Sequence, residues 1–405
     1  MPRTGTIAVA AGTVLVAAYA FVIFNTSERY CPSCAADGKG IRFVQDYFDR
    51  GAYYVRGSWY IFGLRNTRDL SPEYPPLAVY IFGIPFAVAD IAGHPRPSPI
   101  LILNLLTAMM APAYLGLMLV TRRLLRDVGI AEGRLFVFLL PGFLYFSLNR
   151  YDVIPALMVS GAMAMVLRDR PGWGGALLGL GAMTKWYPAL LAPIFVTYFY
   201  RRERRDAALF AATFVLAVAL VSLPLLLSGG FEAFIDPYRF QVGRGGDPLS
   251  IFGLMASWQG VGLPRGIRVM LLALQLAIPL LAMLAAIKDK EALLDWAIIS
   301  FLAFIFFSKF YSPQWMIWVV PLLILRIKTR PWMALIVAWD AVSYLLFPVL
   351  YDIYGIHDSA PGLIFSAAVL TKTALLVTFA INPARGAWLD FIARARNGRE
   401  AGAQA

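Results

Sequence analysis

Apolar runs of about 14 to 22 residues, separated by short charged turns, fill most of this chain and leave it few ways to fold. Runs of that length and apolarity are what membrane-spanning helices need. The expected class is therefore an all-α polytopic membrane protein. Composition agrees: 60% of the 405 residues are hydrophobic and only 15% are charged. A soluble domain carries roughly 25% charged residues. The net charge of +12 would suggest nucleic acid in a soluble protein. Here the basic residues sit in short loops and in the C-terminal stretch, where they set topology, so no nucleic-acid partner is expected. The first apolar run, 7–24, shows no small-residue cleavage site, and the sequence is read without a cleaved signal.

Charge asymmetry orders the spans. The cytoplasmic markers are Arg122-Arg123 with Arg126, Arg168 with Arg170, Arg201 to Arg205, Lys288 with Lys290, Arg326 to Arg330, and the tail from Arg385 to Arg399. Requiring all of them on one side gives spans at 7–24, 100–120, 135–148, 153–167, 174–185, 187–200, 207–227, 267–287, 292–308, 313–326, 331–350 and 362–382. That is about twelve transmembrane helices with both termini inside, in one membrane domain over 1–382. A basic tail over 383–405, disordered and touching anionic lipid, completes the chain. The run 77–93 breaks this parity and carries Pro85 and Asp90, so it is expected to lie along the outer surface or to re-enter. The segments left outside are a long first loop, 25–99, the turns around 149–152, 185–188 and 309–314, and the loops 228–266 and 351–361. Short helices ending in charged turns cannot all reach bulk water, which predicts a shared, partly wet cavity at the outer face.

The first loop holds the candidate chemistry. Asp37 heads an amphipathic segment with Ile41, Val44, Tyr47 and Phe48 on a helical period, ending at Gly51. A carboxylate at a helix start is held as an anion and can accept a proton, or it simply caps the helix. Asp46 and Asp49 compete for the same role. Arg42, Arg50, Arg56, Arg65 and Arg68 are interleaved with tyrosines and Trp59, which suits either a phosphate headgroup with a sugar stacked beside it or interfacial anchoring. Cys31 and Cys34 could be a zinc half-site, a redox pair or a small disulfide; a four-ligand structural zinc would need both of the chain's histidines, His94 and His357, which fall on outer loops and are read as solvated, so none is expected. Asp340 and Lys372 fall at similar depth in the last two spans and are expected to form a structural ion pair.

Several short words occur in a fixed order. Asp37 precedes Gly51 by fourteen residues; the loop closes on Glu73-Tyr74-Pro75-Pro76-Leu77; then come Asn149-Arg150-Tyr151-Asp152, Lys185-Trp186-Tyr187-Pro188 and Ser312-Pro313-Gln314. In this ordered set the chain resembles the GT-C class of integral-membrane glycosyltransferases, most closely glycosyltransferase family 87, over roughly residues 1–330. The resemblance implies a first extracytoplasmic loop with juxtamembrane helices. It also implies an inverting hexose transfer, of mannose by preference, from a polyprenyl-phosphate donor to a lipid or glycan acceptor. On that resemblance Asp37 is the general base and Glu73 an acceptor orienter or alternative base. Arg150, Lys185, Arg239, Arg244 and Lys309 would meet the departing phosphate, and Arg42, Tyr74, Asp152, Tyr187 and Gln314 would complete substrate binding. The first loop lacks an Asp-x-Asp pair, so metal-independent transfer with no cofactor is expected. The remaining expectations are a plasma-membrane protein acting as a monomer on the extracytoplasmic face. A transporter or flippase of lipid-linked sugars is the competing function, and a polymerase or ligase of surface glycans a weaker third.

Overall fold

The computed structural model describes residues 4–30, 74–94, 97, 99–327, 329–350 and 361–403. Among these residues the secondary structure is helical throughout. In chain order the helices are α1 (Thr4–Tyr30), α2 (Pro76–Ile91), α3 (Pro99–Asp127), α4 (Pro141–Asn149), α5 (Val153–Val166), α6 (Pro171–Thr184), α7 (Ala192–Tyr200), α8 (Arg204–Gly243), α9 (Ile251–Trp258), α10 (Arg265–Leu281), α11 (Lys290–Phe306), α12 (Met316–Leu323), α13 (Arg330–Tyr344) and α14 (Leu363–Ala403). Short 3-10 segments lead into α4, α7 and α12, at Glu132–Leu139, Tyr187–Leu191 and Pro313–Trp315. Five stretches are each long and apolar enough to cross a membrane: Asn104–Asp127, Arg204–Leu227, Arg265–Leu284, Arg330–Leu350 and Leu363–Leu389.

Local sequence explains where helices begin. Pro141, Pro171 and Pro99 stand at first helical positions, where a missing N–H costs nothing. Asp289 caps α11 by accepting from Ala292 N at 2.8 Å, and Ser250 caps α9 by accepting from Gly253 N at 3.0 Å. Helix α8 kinks at Gly230, where φ is +71°, a region a β-carbon makes costly.

The central packing pairs α5 with α6 and α6 with α8. Gly175 and Gly179 let α8 approach closely: a Cβ on Gly175 would stand 2.2 Å from Phe210 O, and one on Gly179 2.6 Å from Phe214 O. Lipid offers no hydrophobic drive between helices, so such small-residue seams carry the association. Phe82, Tyr114, Phe138, Phe143, Phe146 and Trp339 are fully buried around this centre.

Charged contacts gather the basic turns at one end of the bundle. Arg122 Nε donates to Glu132 at 2.8 Å, and Arg126 pairs with the same carboxylate. Arg168 reaches Asp127 at 2.5 Å, Arg202 pairs with Asp169, and Arg134 donates to Ile324 O at 2.8 Å. Arg326 meets Asp295 at 2.7 Å and Glu291 at 2.8 Å. The turns marked cytoplasmic by sequence therefore share one end.

Three expectations need correction. Asp340 and Lys372 do not pair. Asp340 accepts from Gly142 N at 2.9 Å and Phe143 N at 2.6 Å, satisfying unbonded N–H groups at the start of α4. Lys372 donates instead to Leu249 O at 3.1 Å and Tyr311 O at 2.7 Å. Each charge found backbone partners that periodicity could not reveal. The loop 228–266 is partly helical, through the end of α8 and all of α9. The tail beyond 382 continues α14 to Ala403, as its alanines and arginines favour. Segment 77–93, expected to lie along the outer surface or to re-enter, folds as the short helix α2, packed on one side against α3, α6 and α8. At 16 residues it rises about 24 Å, less than the roughly 30 Å hydrocarbon core.

Candidate active site

At the end of the bundle opposite the basic turns, a cavity of about 330 Å³ opens among α2, α6, α8, α10, α11 and α12. Its walls are mostly aromatic and aliphatic, including Tyr74, Trp186, Tyr187, Phe304, Trp315 and Trp318. Four cations enter it: Lys185, Arg265, Arg268 and Lys309. Among the described residues that line it there is no carboxylate.

Lys185 follows the last residue of α6 in extended conformation, which turns its side chain off the helix axis. Its Nζ donates to Asp152 Oδ1 at 2.6 Å and stands 4.9 Å over the Tyr151 ring and 5.0 Å over Trp318. Asp152 has no exposed surface, and Trp318 Nε1 donates to the same oxygen at 2.7 Å. Lys185 thus reaches the cavity with its charge matched, while Arg265, Arg268 and Lys309 bring the net positive charge. Tyr187 stacks on Trp318 at 4.0 Å, and Trp315 stacks on Trp318 at 4.4 Å. This column of three rings fixes one wall without rotatable slack.

Lys309 lies in the turn between α11 and the segment leading to α12. Its Nζ donates to Val242 O at 2.9 Å. Burial, and then the nearby Arg268 and Arg244 guanidinium groups, push its pKa down to about 8. A lysine depressed by burial and like charge is ready to gain an anion, which would relieve both penalties. Arg265 and Arg268 open α10, and the cavity wall follows that helix to Gln275, about 15 Å further along. A basic mouth therefore continues into an apolar trough formed by Val269, Leu272 and Phe304. That sequence of surfaces can take an anionic headgroup followed by a lipid chain.

A family model described as glycosyltransferase family 87 matches residues 73–308, more than half of the chain. The chain belongs to glycosyltransferase family 87. Family membership makes it a glycosyltransferase, and its apolar helices make it a membrane one. No curated protein matches the sequence.

The family-87 chain brings several of its sequence-marked residues to this one cavity. Tyr74, Lys185, Tyr187 and Lys309 line it, and Asp152 anchors Lys185 from behind. Tyr74 packs edge-on against Tyr151 at 5.3 Å, so the end of the first loop and the 149–152 turn meet. Arg150 is buried, with its guanidinium 4.6 Å over the Phe347 ring, and lies outside the lining. Arg244 sits 4.9 Å over the Phe310 ring, behind a residue that lines the cavity. Gln314 is buried and accepts from the Ser312 hydroxyl, one residue before Trp315. Arg239 is not brought to the cavity: it is exposed on α8 and pairs with Glu232 and, at 3.8 Å, with Asp236. Asp37, Arg42 and Glu73 lie outside the described residues, as do Asp46, Asp49, Cys31 and Cys34. Glu73 is bonded directly to Tyr74 on the cavity wall.

Sequence reasoning passed over Arg265, Arg268 and Trp318. The two arginines carried a signal, since basic residues opening a span on the outer side run against the positive-inside rule. Trp318 carried none: in an apolar run it reads as packing, and only its indole N–H on Asp152 distinguishes it.

Proposed function

We propose that this family-87 enzyme moves a hexose, mannose by preference, from a polyprenyl-phosphate donor to a lipid or glycan acceptor on the extracytoplasmic face of the plasma membrane. The observation that carries the reading is the cavity itself, where a basic mouth with no carboxylate among its described lining residues runs into an apolar trough. Arg268 and Lys309 would neutralise the phosphate as the glycosidic bond breaks, worth most in a water-poor site. Lys185, held by Asp152 and flanked by Tyr151 and Trp318, would orient the sugar–phosphate junction. The polyprenyl chain would follow α10 past Val269 and Leu272.

Inversion needs a base on the face of the sugar opposite the leaving group. The described wall offers cations, and the first loop offers the carboxylates, so Asp37 serves as the general base and Glu73 as acceptor orienter or alternative base. The acceptor hydroxyl oxygen bonds to the anomeric carbon, its proton goes to the carboxylate, and the anomeric C–O bond breaks to release polyprenyl phosphate. The stabilisation comes from side chains, without a metal or other cofactor. Read by the positive-inside rule, the basic turns are the cytoplasmic end and the cavity faces outside, in a protein of about twelve crossings that acts as a monomer.

The test is to supply the purified protein in vesicles with polyprenyl-phosphate-mannose and candidate glycolipid acceptors. Release of polyprenyl phosphate with mannose on the acceptor, lost in Asp37→Asn, is the expected result. Full activity in Asp37→Asn removes the assigned base. Donor crossing the vesicle membrane with its mannose still attached would make the protein a transporter instead.

A further inference from the structure

Lys372 lies within α14 with no exposed surface, and the mechanism above does not use it. Its ammonium joins two turns from different helical hairpins. It donates to Tyr311 O at 2.7 Å, to Leu249 O at 3.1 Å, and stands 3.7 Å over the Tyr311 ring. The same two turns are tied to each other at a single carbonyl. Lys309 O accepts from Asp247 N at 2.9 Å and from Ser250 Oγ at 2.8 Å. Trp339 grips the turn from α13, donating to the Tyr311 hydroxyl at 2.9 Å. The residue at the centre of this joint, Lys309, is the one whose amine enters the cavity.

We propose that Lys372 is a positioning residue for the cavity, locking the 247–250 turn to the 309–311 turn so that the Lys309 amine is held beside Arg268 and Arg244. The ammonium hydrogen-bonds to the two carbonyls, with the Asp247 carboxylate of the 247–250 turn as its nearby opposite charge. Bonds to two carbonyls fix two pieces of main chain in three dimensions, which a salt bridge between side chains alone would not do. The depressed pKa of Lys309 is the signature of the arrangement, since it depends on closeness to the two arginines and on burial in the cavity wall. The charges acting on the amine are Arg268 and Arg244; Arg265 and Lys185 line the same cavity, and Asp247 meets Lys309 through its backbone N–H.

The consequence for donor binding rests on the proposed sugar transfer, but the placement of Lys309 does not, and it can be read without any donor. The full chain in nanodiscs is treated with acetic anhydride across a pH series, and acetylation of Lys309 is quantified by peptide mass spectrometry. Wild type should show a midpoint near 8. In Lys372→Met the turn is released, the midpoint rises toward the ordinary lysine value of about 10.4, and labelling at pH 8 falls at least about 5-fold. Lys372→Arg, which keeps donors at that position, should restore most of the wild-type profile. A folded Lys372→Met protein with an unchanged midpoint overturns the proposal. If the methionine variant does not fold, Ser250→Ala cuts the same joint at the Lys309 carbonyl: a raised midpoint supports the proposal, and an unmoved one overturns it. In an active preparation the donor KM of Lys372→Met should rise about 10-fold with kcat changed less than about 3-fold. Raised KM without a labelling change would fault the positioning; a labelling change in a protein that transfers no sugar would fault only the proposed function.

Discussion

Oδ1 of Asp152 accepts two hydrogen bonds at once, from Lys185 Nζ at 2.6 Å and from Trp318 Nε1 at 2.7 Å. The carboxylate has no exposure, while the lysine side chain keeps 15% of its own. Asp152 therefore works as an internal anchor, and the lysine is its outward-facing half. Removing the anchor leaves a cation in an apolar wall. Asp152→Asn should destabilise the protein by about 3–5 kcal/mol, the usual cost of halving a buried pair. The double variant Asp152→Asn/Lys185→Met should lose less than the sum of the two singles, by about 1 kcal/mol or more. Thermal unfolding in detergent measures both, and simple additivity would show that the pair is not coupled.

If the donor is the proposed lipid-linked phosphate, Lys309 should set the pH response of its binding. Its pKa of about 8 means that the amine is cationic below that pH and neutral above it. A phosphate donor needs the cation and draws the bound-state pKa upward, so the complex takes up a proton where the free amine is neutral. The donor KM should be flat at lower pH and should rise as pH passes about 8, because free enzyme increasingly presents a neutral amine. Lys309→Arg should remove this alkaline rise, since a guanidinium stays charged. Steady-state kinetics over the pH range decides it.

Arg239, in the outer loop 228–266, and Arg268, in the first turn of α10, should behave differently. Arg239→Ala breaks only an exposed pair on α8 and should leave kcat/KM within about twofold. Arg268→Ala removes a cation from the cavity wall and should lower kcat/KM by about 100-fold or more. It should also let the Lys309 pKa rise, because Arg268 is the foremost charge depressing it. Activity and amine labelling on the two variants separate these outcomes.

The α6–α8 seam can be tested apart from chemistry. Gly179→Leu would drive a side chain into the Phe214 carbonyl and the Ala217 methyl, and should cost about 1–3 kcal/mol or prevent folding. The exposed Gly243, whose added Cβ meets nothing within 4 Å, should tolerate alanine without a change in unfolding temperature.

What was legible in the sequence was whatever periodicity and charge encode. Arg122, Arg168, Arg202 and Arg326 pointed to one end of the bundle, and their ion pairs meet there. The words around Tyr74, Asp152, Lys185 and Lys309 pointed to one region, and the packing of α5, α6 and α11 closes them round a cavity. Partner choice was not legible. Asp340 and Lys372 matched in depth and in sign, yet each turned to main-chain groups that exist only once α4 and the 247–250 turn are folded. Arg239 and Arg268 carry the same charge on either side of the expected start of a span at 267. What separates them is the kink at Gly230 and the turn into α10, and neither direction is written in a hydropathy pattern.

The central claim is that Arg268 and Lys309 hold the phosphate of a lipid-linked donor, and the most direct measurement is the Kd of polyprenyl phosphate for the purified chain in nanodiscs. Each charged hydrogen bond is worth about 1.5–3 kcal/mol, so Arg268→Ala/Lys309→Met should weaken binding by about 100-fold or more, with Arg239→Ala unchanged. A folded double variant that binds polyprenyl phosphate within about twofold of wild type would contradict the account.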